Sequence, residues 1–126
     1  MEPADGGALK EREGIVSGAQ AILVLITCAT LDEAKRIGRE LVERRLAACV
    51  NVIPQVRSLF SWEGSLSEEE EVLLMVKTRR PRFKALALSV KSLHSYRVPE
   101  IIALPILEGS SSYLRWVDDV TTDPVP

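Results

Sequence analysis

The stretch AILVLITCATLDEAKRIGRELVERRLAACVNVIPQVRSLFSW, Ala21–Trp62, changes its hydrophobic period twice, and those changes decide the fold. Its opening run, AILVLITCA, is continuously apolar and rich in β-branched residues, as a buried strand requires. Strand parity puts Ile22, Val24, Ile26 and Cys28 on one face. Thr30 and Glu33 then stand at capping-box spacing, where side-chain oxygens satisfy orphan N–H groups at a helix start. Behind them Ala34, Ile37, Gly38, Leu41 and Val42 recur at helical spacing, and Lys35, Arg36, Glu40 and Glu43 make the solvated face. From Ala47 to Trp62 the period returns to that of a strand, with Val50, Val52, Val56, Phe60 and Trp62 of one parity. Pro54 has no N–H for a central ladder, so a bulge or bend is expected there within one long strand.

Downstream the alternation repeats. Glu63-Gly64-Ser65 supplies turn chemistry, and Glu70 to Thr78 reads as the returning strand. Val72, Leu74 and Val76 share one of its faces; Leu73 and Met75 share the other. Apolar residues on both faces imply cover on both sides, which points to a partner subunit. The Glu68–Glu71 run reads as a solvated turn rather than a cation site. Pro81 suits the first position of a second helix, whose apolar face is Phe83, Leu86, Ala87, Val90 and Leu93 and whose end is His94. IIALPIL (101–107) is the next strand, placed by Pro105 at an edge or a bulge. Ser110 to Ser112 cap a final helix carrying Tyr113, Leu114, Trp116 and Val117.

The resulting order, β-α-β-β-α-β plus a C-terminal helix, is an α+β, ferredoxin-like split βαβ pattern over residues 21–120. Residues 1–20 read as a flexible N-terminal tail and 121–126 as a C-terminal tail. The strand from Ala47 to Trp62 exceeds the usual strand length, and its far part would leave Phe60 and Trp62 on an unpaired edge. Pairing with a neighbouring subunit would bury both.

Composition narrows the function classes. The chain has 126 residues, 46% hydrophobic and 27% charged, as a single soluble domain does. Its net charge is −2 with Lys and Arg scattered, so there is no basic patch for nucleic acid. AILVLITCA and EEVLLMVKT also lack the aromatic residues that stack bases. The run Ala21–Ala29 is too short to cross a bilayer, and MEPADGGALKEREG contains no signal-like apolar segment. Cys28 and Cys49 lie inside apolar runs and read as reduced thiols of a cytoplasmic protein. With one histidine and no nucleophile–base–orienter set, the expectation is a protein that is not an enzyme and needs no organic cofactor.

His94 and Glu100 flank one loop, HSYRVPE. In a split βαβ sheet the first strand lies antiparallel beside the last. Cys28 ends the first, Glu100 precedes the last, and the second helix delivers His94 to the same rim. Thiolate and imidazole suit copper or zinc, and a carboxylate completes the shell. Each residue also has a plainer reading: Cys28 as a small buried hydrophobe, His94 as a cation at a helix C-terminus, Glu100 as a partner of Arg97 or the backbone.

Five ordered motifs carry a family likeness: RLAACVNVIP (Arg45–Pro54), SWEG (Ser61–Gly64), EEVLLMVKT (Glu70–Thr78), HSYRVPEIIALPI (His94–Ile106) and YLRWV (Tyr113–Val117). Over about Ala21 to Val120 the chain resembles the CutA divalent-ion-tolerance family. The resemblance implies a ferredoxin-like subunit in a tight homotrimer with strands pairing between subunits, and a link to tolerance of copper and other divalent ions. It implies copper ligands at Cys28, His94 and Glu100. Two positions depart from the family pattern, which usually shows His-Pro-Tyr followed by an acidic residue. Ser95 removes the proline, and Arg97 puts positive charge between His94 and Glu100. The expected function is a trimeric metal-binding protein. The alternatives are a sensor resembling the trimeric PII signalling proteins, with ligand clefts between subunits, and a scaffold trimer.

Overall fold

The computed structural model describes residues 14–122. In chain order they form β1 (Ile15–Ser17), β2 (Ala21–Cys28), α1 (Leu31–Glu43), β3 (Cys49–Trp62) and β4 (Ser65–Arg79). A 3-10 turn (Arg80–Arg82) then leads into α2 (Phe83–Leu93), β5 (Ile101–Pro105), β6 (Glu108–Ser110) and α3 (Ser111–Thr121). β3, β4, β2 and β5 make an antiparallel four-stranded sheet in that spatial order. The first strand of the split βαβ unit, β2, therefore lies beside its last, β5, as the sequence order demands.

The parity expected of β2 is the parity found. Ile22, Val24, Ile26 and Cys28 face the core, where they meet Val72, Leu74 and Val76 of β4 and the buried faces of α1 and α2. Ile37, Leu41, Leu86 and Val90 from those helices are fully buried. Burial of each such side chain stabilises the fold by about 1.5–3 kcal/mol relative to leaving it in water. Val42, expected on the same helical face, is instead 43% exposed. It lies at the margin of an apolar stripe already filled by Ile37, Gly38 and Leu41.

The β3–β4 hairpin is longer than its sequence signals suggested. The two strands are joined by a two-residue turn with positive φ at both Glu63 (50°) and Gly64 (80°), the backbone twist that matches a hairpin. Their ladder shifts register between Ile53 and Val56, at Pro54, with Gln55 at φ 63°. That is the expected bulge. Glu68–Glu71, expected as a turn, is strand throughout, and Glu71 is buried. β2 pairs β4 only from Cys28↔Val72 to Ala21↔Arg79. Beyond that point Val56–Trp62 and Ser65–Glu71 pair with each other alone, and Leu59, Phe60, Trp62 and Leu66 are exposed.

Another correction concerns the expected N-terminal tail. Residues 1–13 lie outside the described part, but Ile15–Ser17 is a strand paired antiparallel with Glu108–Ser110. The enabling residue is Gly18. A Cβ there would stand 1.5 Å from the Ile106 carbonyl oxygen, whereas glycine lets its own N–H donate to Leu107 O at 2.8 Å. Of the expected C-terminal tail, residues 123–126 lie outside the described part, and Thr121 closes α3, fully buried. Guanidinium groups clasp the end of that helix. Arg79 donates to Thr121 Oγ1 and its carbonyl, and Arg45 donates to the carbonyls of Asp119 and Val120. Cations at these carbonyls complement the helix dipole.

Candidate metal centre

At the rim where β2 ends, local chain chemistry brings several polar side chains into an otherwise apolar core. Cys28 is the last residue of β2, and the chain turns at once into α1, capped by Thr30, whose Oγ1 accepts from Glu33 N–H at 3.1 Å. The capping box places Glu33 one turn into the helix with its carboxylate pointing back at the strand end. There one oxygen accepts from Ala29 N–H at 3.2 Å and the other from Ser95 N–H at 2.7 Å. His94 caps the C-terminus of α2 and arrives at the same place from the other side.

Cys28, Glu33 and His94 are the result. Their potential ligand atoms all lie within 4.8 Å of one another, and among the described residues they form a group able to hold a metal ion. Two donors on one ion can be at most about 4.6 Å apart, twice a zinc–sulfur bond, so the spread is within a small adjustment of a coordination shell. The donor set of thiol, carboxylate and imidazole suits copper or zinc. Glu100 lies outside this group; it is exposed just before β5.

None of the donors is idle. His94 Nε2 lies 2.7 Å from the Thr27 carbonyl oxygen, and His94 Nδ1 accepts from Tyr96 N–H at 3.0 Å. A carbonyl can only accept, so Nε2 carries the ring proton and Nδ1 keeps the lone pair. Burial, with the charges of Glu33 and Glu71 added, pushes the Cys28 thiol up to about 12. It is a thiol here and must lose its proton to bind metal. Burial alone would raise the Glu33 carboxyl. The side-chain and backbone hydrogen bonds of Ser95, the Ala29 N–H and attraction to His94 outweigh it and hold that carboxyl below its ordinary value.

A further layer surrounds the group. Tyr96 donates its hydroxyl to Glu71 Oε2 at 2.8 Å, and its ring stands 4.8 Å from that of His94. Burial first, then the bond to Glu71, raises the Tyr96 phenol above its ordinary value. The sequence reading names Cys28 and His94, which the fold brings together, and does not name Glu33 or Glu71 as their neighbours. Glu33 had been explained by helix capping, and Glu71 was hidden among like charges. The available signal for Glu33 was the short Cys28–Glu33 spacing across a strand-to-helix turn, which aims the first helical turn at the strand end.

Residues 22–120 match the CutA1 divalent ion tolerance protein family. The chain is 49% identical over 111 residues to the CutA homolog of Xenopus laevis, covering 88% of this chain and 73% of that protein. It is 46% identical over 108 residues to human protein CutA, covering 86% of this chain and 60% of that one. A solved structure of the divalent cation tolerance protein Cut A1 from Thermus thermophilus superposes with a TM-score of 0.80 at 47% identity, over 81% of this chain and 99% of that one. The chain belongs to the CutA1 divalent ion tolerance family.

Proposed function

We propose that this member of the CutA1 family is a divalent-cation tolerance protein that binds copper or a similar metal ion through Cys28, Glu33 and His94. The observation that carries the reading is the convergence of thiol, carboxylate and imidazole within 4.8 Å at one rim of the sheet. A relative of solved structure is itself named for divalent cation tolerance. The role is one of binding rather than catalysis: the thiol is held protonated and the imidazole is locked by hydrogen bonds at both nitrogens. Free thiols at Cys28 and Cys49 favour the reducing cytoplasm, and among the described residues no helix is long and apolar enough to cross a membrane.

The working form is a homotrimer. The sheet face away from α1 and α2 carries Leu23, Leu25, Leu73 and Met75, only half-buried, and Ile102 and Leu104, 51% and 43% exposed. The same chain extends the exposed apolar hairpin of Phe60 and Trp62. Faces of this kind are covered by partner subunits in obligate assemblies. A monomer in light scattering at micromolar concentration would remove the trimer.

Competitive titration with Cu(I), Cu(II) and Zn(II) tests the site. Cys28→Ser, Glu33→Gln and His94→Ala should each weaken binding by about tenfold or more. Glu100→Gln decides which carboxylate serves. Loss there with no loss in Glu33→Gln would restore the family-implied set of Cys28, His94 and Glu100. Since the thiol gives up a proton on binding, affinity should climb about tenfold per pH unit below the thiol pKa.

A small-molecule sensor is the second reading, favoured by one observation. A cleft of about 370 Å³ lies between β1, the start of β2 and α3, bounded by Gln20, Arg79, Ser111, Leu114 and Arg115. Ser111 is 5% exposed, and its hydroxyl oxygen has no hydrogen-bond partner. Thermal stabilisation by an added metabolite, abolished by Ser111→Ala and untouched by His94→Ala, would favour it.

A further inference from the structure

His94 can offer a lone pair only by breaking a bond it already makes. Nδ1 is free only if the Tyr96 N–H withdraws, because that N–H points at it from 3.0 Å. Nε2 is free only if its proton leaves the Thr27 carbonyl. A neutral ring that gives up the Nε2 proton carries one at Nδ1, and an N–H there would face the N–H of Tyr96, donor against donor. Both routes therefore displace the backbone of Tyr96.

Tyr96 is tied at its other end. Its hydroxyl donates to Glu71 at 2.8 Å, and Glu71 is 7% exposed. Glu71 occupies a particular place in the ladder. β2 pairs β4 only as far as Val72, so Glu71 is the first residue of β4 past the edge of the four-stranded sheet. It pairs with Val56, the first pair beyond the register shift at Pro54. The hairpin of Val56–Glu71 leaves the sheet at this root, carrying Leu59, Phe60 and Trp62.

We propose that Tyr96 is a positioning residue that couples occupancy of the Cys28–Glu33–His94 site to the posture of the β3–β4 hairpin, through its N–H on His94 and its hydroxyl on Glu71. The proposal rests on the metal reading above and adds a readout to it. A change of state at the rim is delivered to the hairpin that carries the exposed apolar side chains. A cation that engages His94 shifts Tyr96, and the buried Glu71 carboxylate must then find a new donor or move with it.

Amide hydrogen exchange over residues 56–71, with and without Zn(II), tests this, while displacement of a chromogenic zinc chelator measures binding separately. Zn(II) should change exchange of the hairpin amides about fivefold or more in the parent chain, the lower end of ordinary site-to-site coupling. Tyr96→Phe should still bind Zn(II) but lose the change, and Glu71→Gln, which keeps an acceptor for the phenol, should retain it. An unchanged hairpin response in Tyr96→Phe would overturn the coupling while leaving the metal site standing. Absence of Zn(II) binding in the parent chain would overturn both. A Tyr96→Phe chain that loses its fold moves the decision to Glu71→Leu, where a surviving response again overturns the proposal.

Discussion

The two halves of β4 belong to one strand and share one partner, β3, yet they live under different rules. Val72–Arg79 runs between β3 and β2, with Val72, Leu74 and Val76 buried against both helices. Ser65–Glu71 pairs with β3 alone among the described residues, touched at its root by the Tyr96 hydroxyl on Glu71, and it ends at an exposed turn. The inner half is stabilised by burial inside the chain. The outer half is held by a backbone ladder and a turn, and the apolar side chains of that ladder, Leu59, Phe60, Trp62 and Leu66, are exposed.

The sharpest way to break that contrast is a cavity in the inner half. Leu74→Ala should destabilise by about 2–5 kcal/mol in urea unfolding, whereas Glu69→Ala, on an exposed polar residue of the outer half, should stay within about 0.5 kcal/mol. A similar loss at both positions would erase the distinction.

Cys28 marks the boundary, paired with Val72 where the inner half ends. Its thiol is raised from 9.0 to about 12, so the folded chain holds that proton more tightly than the unfolded one. The associated stability is present in full below pH 9.0 and drains away as pH rises towards about 12, by up to roughly 4 kcal/mol. Cys28→Ser, which has no such proton, should show a shallower decline between about pH 8 and 11. Equal slopes would mean that the thiol is not buried as described.

Smaller effects follow away from the boundary. Thr30→Ala removes the cap that accepts from Glu33 N–H and should cost about 1 kcal/mol. The same change should loosen the Glu33 carboxylate and lower metal affinity if that residue is a ligand. In the outer half, Arg57 and Glu68 meet at 3.1 Å but both are exposed, so a double-mutant cycle should return no more than about 0.5 kcal/mol. A larger coupling would show that the outer half is better ordered than its surroundings imply.

The inner half was legible because burial writes itself into sequence as period. Ile22 through Cys28 alternate with one face in the core, and Val72, Leu74 and Val76 answer them. Pro54 announced the bulge because a missing N–H is a local fact. What escaped was whatever depends on distant chain. β1 pairs with β6 across most of the molecule, and only the closeness of Gly18 to Ile106 makes room for it. Glu71 differs from Glu68, Glu69 and Glu70 in being buried, where it accepts from Tyr96 in the distant loop after α2. At the candidate site, topology sufficed to bring Cys28 and His94 to one rim. The path of residues 95–100 did not follow from topology, so the carboxylate that arrived was Glu33, delivered by a cap.

The two-residue turn at Glu63–Gly64 has a kinetic consequence. It makes the longest ladder of the molecule also its most local, since every pair from Trp62↔Ser65 outwards closes a short loop. Such a hairpin forms in about 1–10 μs, while the pairing of Ile22 with Pro105 must wait for nearly the whole domain to be brought together. The hairpin is thus an early nucleus whose inner residues, Val72, Leu74 and Val76, stand open until the slow central pairing covers them. During that interval the chain is most exposed to wrong partners, and synthesis at high concentration would favour tangled assemblies over orderly ones.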